Sequence, residues 1–303
     1  MREVGLGPMI ATTGFFDGVH LGHRLVIERL VSLAHARGDE SLVVTFWPHP
    51  RAVLQDGARE LRLLNSLEEK KELLRVLGVD RVEVLDFTRS FAALTAEQYL
   101  REILRDRFGV TTLLMGYDNR LGSDRLTAAS LKPIADGMGM ELMELSPLSF
   151  RPSEASGEIS STQIRTALEE GDITSAAEML GYGYALKGVV VAGNRLGRTI
   201  GFPTANMKLY EPLKLVPGRG VYAVEAEVLG KKYRGMTNIG LRPTVGGSFT
   251  TIETHILDFD EDIYGLPLRI TFLRRLRDEV HFPSLEALKE QLEKDRDCCR
   301  EQK

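Results

Sequence analysis

Two stretches of this chain gather residues suited to handling phosphate, and they differ in kind. The first is Gly14-Phe15-Phe16-Asp17-Gly18-Val19-His20-Leu21-Gly22-His23. His20 and His23 stand three apart where a helix begins, so they share a face. Gly14 and Gly18 allow a tight bend between strand and helix. Free backbone N–H groups at that helix start point the same way as the imidazoles. The arrangement suits a triphosphate, whose charge builds on the leaving pyrophosphate during nucleotidyl transfer. No residue here has the character of a nucleophile, which fits direct attack by a substrate phosphate. Metal binding by the two histidines lacks a third ligand at suitable spacing.

The second stretch is Gly197-Arg198-Thr199-Ile200-Gly201-Phe202-Pro203-Thr204-Ala205-Asn206. Pro203 fixes the backbone ahead of Thr204 and Asn206. In an extended segment those two side chains share a side. A hydroxyl and an amide carbonyl are hard oxygen ligands for Mg²⁺, with ATP phosphates supplying the negative ones. Gly193, Gly197 and Gly201, with Arg195 and Arg198, can wrap phosphates with N–H and guanidinium groups. A kinase acting on an alcohol also wants a base. Glu253, inside the apolar run Thr251 to Phe259, is the candidate, because a carboxylate there needs a reason. The competing reading is an edge-strand glutamate facing water.

Two further segments carry weaker signals. Ser160-Ser161-Thr162-Gln163-Ile164-Arg165 sets hydroxyls at a helix start with a guanidinium one turn on, either an anion cradle or a plain cap. Thr45-Phe46-Trp47-Pro48-His49-Pro50 either walls a flat ring or simply ends a strand.

Positioning these groups requires two kinds of fold. Strands over 9–16, 41–46, 81–85, 111–115 and 140–145 alternate with helices over 21–36, 67–77, 96–108 and 126–138. That alternation predicts a Rossmann-like α/β domain with a parallel sheet, whose ligands lie at the carboxyl ends of the strands. Short helices follow over 162–170 and after Asp172. Beyond Gly183 the pattern is β: 185–192, 221–229, 232–238, 250–259 and 268–276, then a helix over 284–296. Closely spaced strands predict a small antiparallel barrel or sandwich. The boundary is expected near 182–184, giving domains 1–182 and 183–303.

A length of 303 residues fits two domains. With a net charge of −4 there is no global basic field for nucleic acid. The two cysteines, Cys298 and Cys299, form no disulfide framework. No signal peptide and no apolar run of membrane length is present, so a cytoplasmic protein without membrane contact is expected.

Taken together, Gly14 to His23, Thr45 to Pro50, Gly116-Tyr117-Asp118 and Ile159 to Arg165 resemble the adenylyltransferase module of bifunctional prokaryotic riboflavin kinase/FAD synthetases. Gly197 to Asn206, Asn238-Ile239-Gly240 with Arg242-Pro243-Thr244, and Glu253 to Phe259 with Tyr264-Gly265 resemble their riboflavin kinase module, a small β-barrel. The resemblance runs from about residue 10 to 297. It implies that riboflavin is phosphorylated to FMN by ATP and that FMN is then adenylylated to FAD. It further implies that Gly14, Phe16, Asp17, Gly18, His20, Gly22, His23, Asp118, Ser161, Thr162 and Arg165 handle ATP. Thr204 and Asn206 would bind Mg²⁺-ATP, with Glu253 as the base for the ribityl 5′-hydroxyl. Pro48, His49, Asn238, Arg274 and Arg277 would face flavin. The pattern departs at Asn119 and Leu121, where the family carries phenylalanine. Two other readings stay open: a riboflavin kinase with a degenerate N-terminal domain, and a non-catalytic flavin or nucleotide sensor.

Overall fold

The computed structural model describes residues 7–54, 61–116, 119–145, 159–193, 196–244 and 247–300. The chain divides into two compact units, Met1–Ser160 and Ser161–Lys303.

The first unit runs β1 (Met9–Thr13), α1 (Leu21–Arg37), β2 (Glu40–Trp47), α2 (Pro50–Leu54), α3 (Leu67–Val76), β3 (Arg81–Asp86), α4 (Arg89–Ala92) and α5 (Ala96–Gln98). A π-wound segment, Tyr99–Arg107, continues α5; β4 (Val110–Met115), α6 (Ala128–Gly137) and β5 (Glu141–Glu144) follow. The strands form a sheet in the order β3-β2-β1-β4-β5, with every pair parallel. Alternation along β1 explains the layers. Met9 and Ala11 join Tyr99, Leu104 and Leu131 on one face. Ile10 faces the other way, with Ile27 and Leu30 of α1 and Leu74 of α3. Both faces are therefore covered, as a parallel sheet requires.

Strand order reverses between β1 and β4, because β2 pairs on one side of β1 and β4 on the other. The loops after β1 and β4 leave the sheet at this switch point, where ligands of such sheets bind. The π-wound segment replaces the plain helix expected over 96–108. Its Tyr99 hydroxyl meets Thr13 Oγ1 at 2.8 Å, at the last residue of β1. Leu121 is buried in the same core, bridged to Leu126. Asn119 is half-buried.

The second unit opens with α7 (Ser161–Glu170) and α8 (Ile173–Leu180), followed by β6 (Ala185–Val191), α9 (Leu196–Thr199) and β7 (Ala205–Leu209). Next come β8 (Gly220–Val228), β9 (Lys231–Thr244), β10 (Gly247–Ile256), β11 (Pro267–Arg277) and α10 (Leu285–Arg300). Six antiparallel strands close a barrel in the order β10-β7-β6-β11-β8-β9. Closure leaves no free edge. Sequence reading expected five of these strands and missed β7, a short run that follows the Pro203 turn. The α7–α8 pair packs with this unit: Arg275 Nη1 donates to the Glu170 carbonyl, and Gly218 N–H to that of Leu168. The break between units thus falls at Ser160, ahead of the boundary read from the sequence near 182–184.

α10 covers the outside of the barrel. Cys299 and Leu292 pack with Phe202, Met236 and Leu257. The Arg277 guanidinium pairs with the buried Asp295 carboxylate at 2.9 Å.

Candidate functional site

In the first unit the site is built on the β1–α1 loop. Phe16 (φ 53°) and Val19 (φ 38°) adopt left-handed backbone beside Gly18 (φ 86°). For a β-branched valine this is a genuine outlier, of the kind that clusters at functional sites. The loop ends at His20, which caps α1: its Nδ1 accepts the His23 N–H at 3.4 Å. Its ring stacks on that of His23, centroids 3.7 Å apart. Gly22 leaves space beside the His20 ring, which a Cβ would meet at 3.3 Å. Phe16 is buried edge-on to His23 at 5.3 Å. Burial, then the neighbouring His20, then Lys70 hold the His23 pKa well below the usual histidine value. The imidazole is therefore neutral at pH 7, and its Nδ1 has no hydrogen-bond partner among the described residues.

Asp17 lies deeper. Only 4% exposed, its carboxylate accepts the N–H groups of Leu64 and Asn65 at 3.0 and 3.3 Å. Gly14 N–H donates to the Val44 carbonyl, fixing the loop's start to β2. Pro48 is exposed, while the His49 ring stands edge-on to Phe15 at 4.2 Å, with Trp47 stacked near Phe15 at 6.5 Å. The end of β2 and the β1–α1 loop thus form one aromatic surface.

Sequence reading missed Lys70. It lies on the buried face of α3, fully enclosed, with Nζ 3.5 Å from the Phe15 ring centroid and 3.4 Å from Thr45 Oγ1. Burial pushes its pKa down from 10.5 to about 8, against the pull of Asp17. Keeping it charged costs about 3 kcal/mol on that scale. A desolvated cation–π pair returns roughly 2 kcal/mol. Stability alone does not explain a lysine here. The signal was legible: Lys70 precedes Leu74 by four residues on the apolar stripe of α3.

Asp118 lies outside the described residues. Ser161, Thr162 and Arg165 occupy the first turns of α7, in the second unit.

In the second unit the site is built on β7, β10 and β9. Glu253 is register partner of Asn206 on β7 and of Asn238 on β9. Residues opposite each other on adjacent strands share a face. All three side chains are half-buried, while their neighbours Thr254 and Ile252 are buried. Glu253 is thus on a doubly paired strand, not an edge, and its Oε1 lies 3.4 Å from Arg242 Nη2.

Thr204 immediately precedes β7. With Arg198, Pro203, Phe259, Ile263 and Tyr264 it lines a cavity of about 260 Å³. His255 Nδ1 donates to the Pro203 carbonyl at 2.8 Å and so pins the turn that presents Thr204. Gly197 accepts the Phe202 N–H at 2.8 Å, closing a loop. A Cβ on Gly197 would run into the Phe202 carbonyl, and one on Gly193 into the Asn206 side-chain amide. Only glycine permits these approaches.

Arg274 and Arg277 both turn to α10. The Arg274 Nη2 donates to the Cys298 carbonyl at 3.2 Å, and Arg277 holds Asp295. Neither guanidinium lines the cavity. Among the described residues, no three His, Cys, Asp or Glu gather to cage a metal. A divalent ion there would depend on neutral oxygens and on substrate phosphates. Thr204 and Asn206, with the Glu253 carboxylate at the same level, supply hard oxygens and fit such an ion.

Comparison with known proteins agrees with this division. A FAD synthetase family model matches residues 5–163, and a riboflavin kinase model matches residues 180–303. A bifunctional riboflavin kinase/FMN adenylyltransferase of Listeria monocytogenes is 39% identical over 94% of this chain and 90% of its own. The protein of that name from Escherichia coli K12 is 39% identical over 96% and 92%. A crystal structure described as a macrolide-efflux protein from Streptococcus pneumoniae superposes with a TM-score of 0.90 at 32% identity, covering 98% of this chain and 95% of its own. Among the described residues no helix is long and apolar enough to cross a membrane. With a loop carrying His20 and His23 at a sheet switch point, a closed barrel carrying Thr204, Asn206 and Glu253, and relatives 39% identical over nine-tenths or more of both chains, the chain belongs to the bifunctional riboflavin kinase/FMN adenylyltransferase family.

Proposed function

We propose that residues 183–303 phosphorylate riboflavin with ATP and that residues 1–182 adenylylate the resulting FMN to FAD. The observation that carries the first step is the alignment of Asn206, Glu253 and Asn238 across three strands beside the Thr204 cavity. The cavity takes the adenosine moiety of ATP, with Phe259 and Tyr264 as apolar walls. Gly193, Gly197 and Arg198 cradle its phosphates. Thr204 and Asn206 would hold Mg²⁺, which would supply positive charge against the ATP phosphates. Glu253 accepts the proton of the ribityl 5′-hydroxyl, whose oxygen attacks the γ-phosphorus as ADP leaves. Arg242 keeps that carboxylate oriented, and Asn238 faces flavin at the same level.

In the second step a phosphate oxygen of FMN attacks the α-phosphorus of ATP and pyrophosphate leaves. His20 and the neutral His23 donate hydrogen bonds to the departing phosphates from the start of α1, where backbone N–H groups add to the field. Gly14, Phe16, Gly18 and Gly22 shape the loop, and Asp17 anchors it. Asp118, Ser161, Thr162 and Arg165 are assigned to ATP by residue type and by resemblance. Pro48 and His49, with Phe15 and Trp47, offer the flavin an aromatic face. Arg274 and Arg277 support the flavin side through α10. We place the protein in the cytoplasm, with riboflavin, FMN and ATP as its small-molecule partners.

Crossed variants test the division. Thr204→Ala is expected to abolish FMN formation while FAD still forms from supplied FMN. His23→Ala is expected to do the reverse. Loss of both activities in either variant, with the protein folded, contradicts the assignment. Turnover in both assays by the parent chain excludes the sensor reading, and FAD formation excludes a degenerate N-terminal domain.

A further inference from the structure

We propose that Lys70 is a positioning residue for adenylyl transfer, its buried ammonium holding the β1–α1 loop in the shape that presents His20 and His23. The inference rests on reading that loop as the adenylyl-transfer site.

Two links tie Lys70 to one loop residue. Nζ lies 3.5 Å from the Phe15 ring centroid. It also donates to Thr45 Oγ1 at 3.4 Å, and that hydroxyl donates in turn to the Phe15 carbonyl at 3.2 Å. Ring and main chain of Phe15 are thus held by one cation. Two residues on, Asp17 grips the N–H groups of Leu64 and Asn65, just ahead of α3. The loop is therefore fastened to the start of α3 at two points. Ser66 and Glu69 form a capping box there, which fixes the turn that carries Lys70. The same cation helps keep His23 neutral. Asp17 on the loop and His23 on α1 interact with it electrostatically, and Glu69 precedes it on α3. From β2 the uncharged Thr45 and Trp47 reach it, and His49, just beyond β2, stands against its ring partner, Phe15.

A lysine kept for packing would be replaced by methionine at a loss in stability and with no specific effect on one reaction. A positioning cation gives the opposite result. Removing it takes out a desolvated charge together with its ring contact, two effects of similar size and opposite sign, and Asp17 keeps its backbone N–H donors, so thermal stability changes little while alignment of the reacting groups is lost.

The test measures FAD formation from FMN and ATP by the parent, Lys70→Met and Lys70→Arg across pH 6.5 to 9.5, with riboflavin phosphorylation as the control. Lys70→Met is expected to lower kcat for FAD formation by about 100-fold, with the kinase rate and melting temperature maintained. The parent FAD-forming rate is expected to fall as the pH rises through about 8, where Lys70 loses its proton. Lys70→Arg, which stays charged, is expected to retain activity and remove that decline. Should Lys70→Met fail to fold, the Lys70→Arg profile decides. A Lys70→Met enzyme within threefold of a parent that makes FAD overturns the proposal alone, as does an unchanged decline in Lys70→Arg. A parent that makes FMN but no FAD removes the underlying reading as well.

Discussion

Glu253 on β10 stands directly opposite Asn206 on β7, and Gly193 packs against the Asn206 amide from behind. A carboxylate suited to take a proton and an amide suited to hold a metal-bound nucleotide are thereby fixed at one level of a closed barrel. Rigid strands set their separation, as the proposed phosphoryl transfer requires.

Replacing Glu253 by Gln keeps the shape and removes the carboxylate proposed as the base. Riboflavin phosphorylation is expected to fall by roughly 10²- to 10⁴-fold in kcat. FAD formation from supplied FMN stays at the parent rate. Steady-state rates of the two half-reactions on one preparation check this, and a kinase rate within threefold of the parent sets Glu253 aside as the base.

Gly193→Ala is a test of close approach. Its new methyl would occupy space held by the Asn206 side chain, so Asn206 must swing away. The expected result is a kinase kcat/KM lowered about tenfold or more, at a cost of at least ~1.4 kcal/mol in transition-state binding. Adenylyl transfer is again the internal control. Isothermal titration with a non-hydrolysable ATP analogue should show weaker Mg²⁺-dependent binding.

Asp17 is expected to act through the fold rather than by touching nucleotide. Asp17→Ala leaves the Leu64 and Asn65 N–H groups without their acceptor and removes the carboxylate that favours the charged form of Lys70. Loss of about 1–3 kcal/mol of stability follows from the orphaned buried donors. Chemical denaturation, followed by FAD-forming activity as a probe of the first unit, measures it.

His23 links stability to pH. Its folded pKa lies well below the unfolded value of 6.5, so below pH 6.5 the unfolded chain binds more protons at this position. Stability from this group is complete above pH 6.5 and declines as the pH falls below it. His23→Gln should flatten the dependence of the melting temperature on pH between 6.5 and 5. An unchanged slope in the variant would show that other groups govern it.

Much of the fold was legible because hydrophobic period is a local property. The strands and helices of the first unit follow from alternating apolar runs, and Gly38 closes α1 in the left-handed conformation. The barrel itself was expected, but its strand β7 was not legible, since it is only five residues long and is defined by its pairing with β6 and β10. The π-wound turn at Tyr99–Arg107 was likewise hidden: its apolar spacing suits an ordinary helix, and its contact with Thr13 is tertiary. At the sites, His20, His23, Thr204, Asn206 and Glu253 could be named from type and motif. Lys70 could be found only by asking why a charge sits on an apolar stripe. Arg274 and Arg277 illustrate the converse, since a sequence cannot reveal that Asp295 and the Cys298 carbonyl on α10 engage them.

The most direct measurement is a time course of the parent chain with riboflavin, ATP and Mg²⁺, with flavins separated by chromatography. Riboflavin is expected to give FMN first and FAD after it, with ADP and pyrophosphate appearing in step. Riboflavin that persists unchanged in the presence of folded protein would contradict the account.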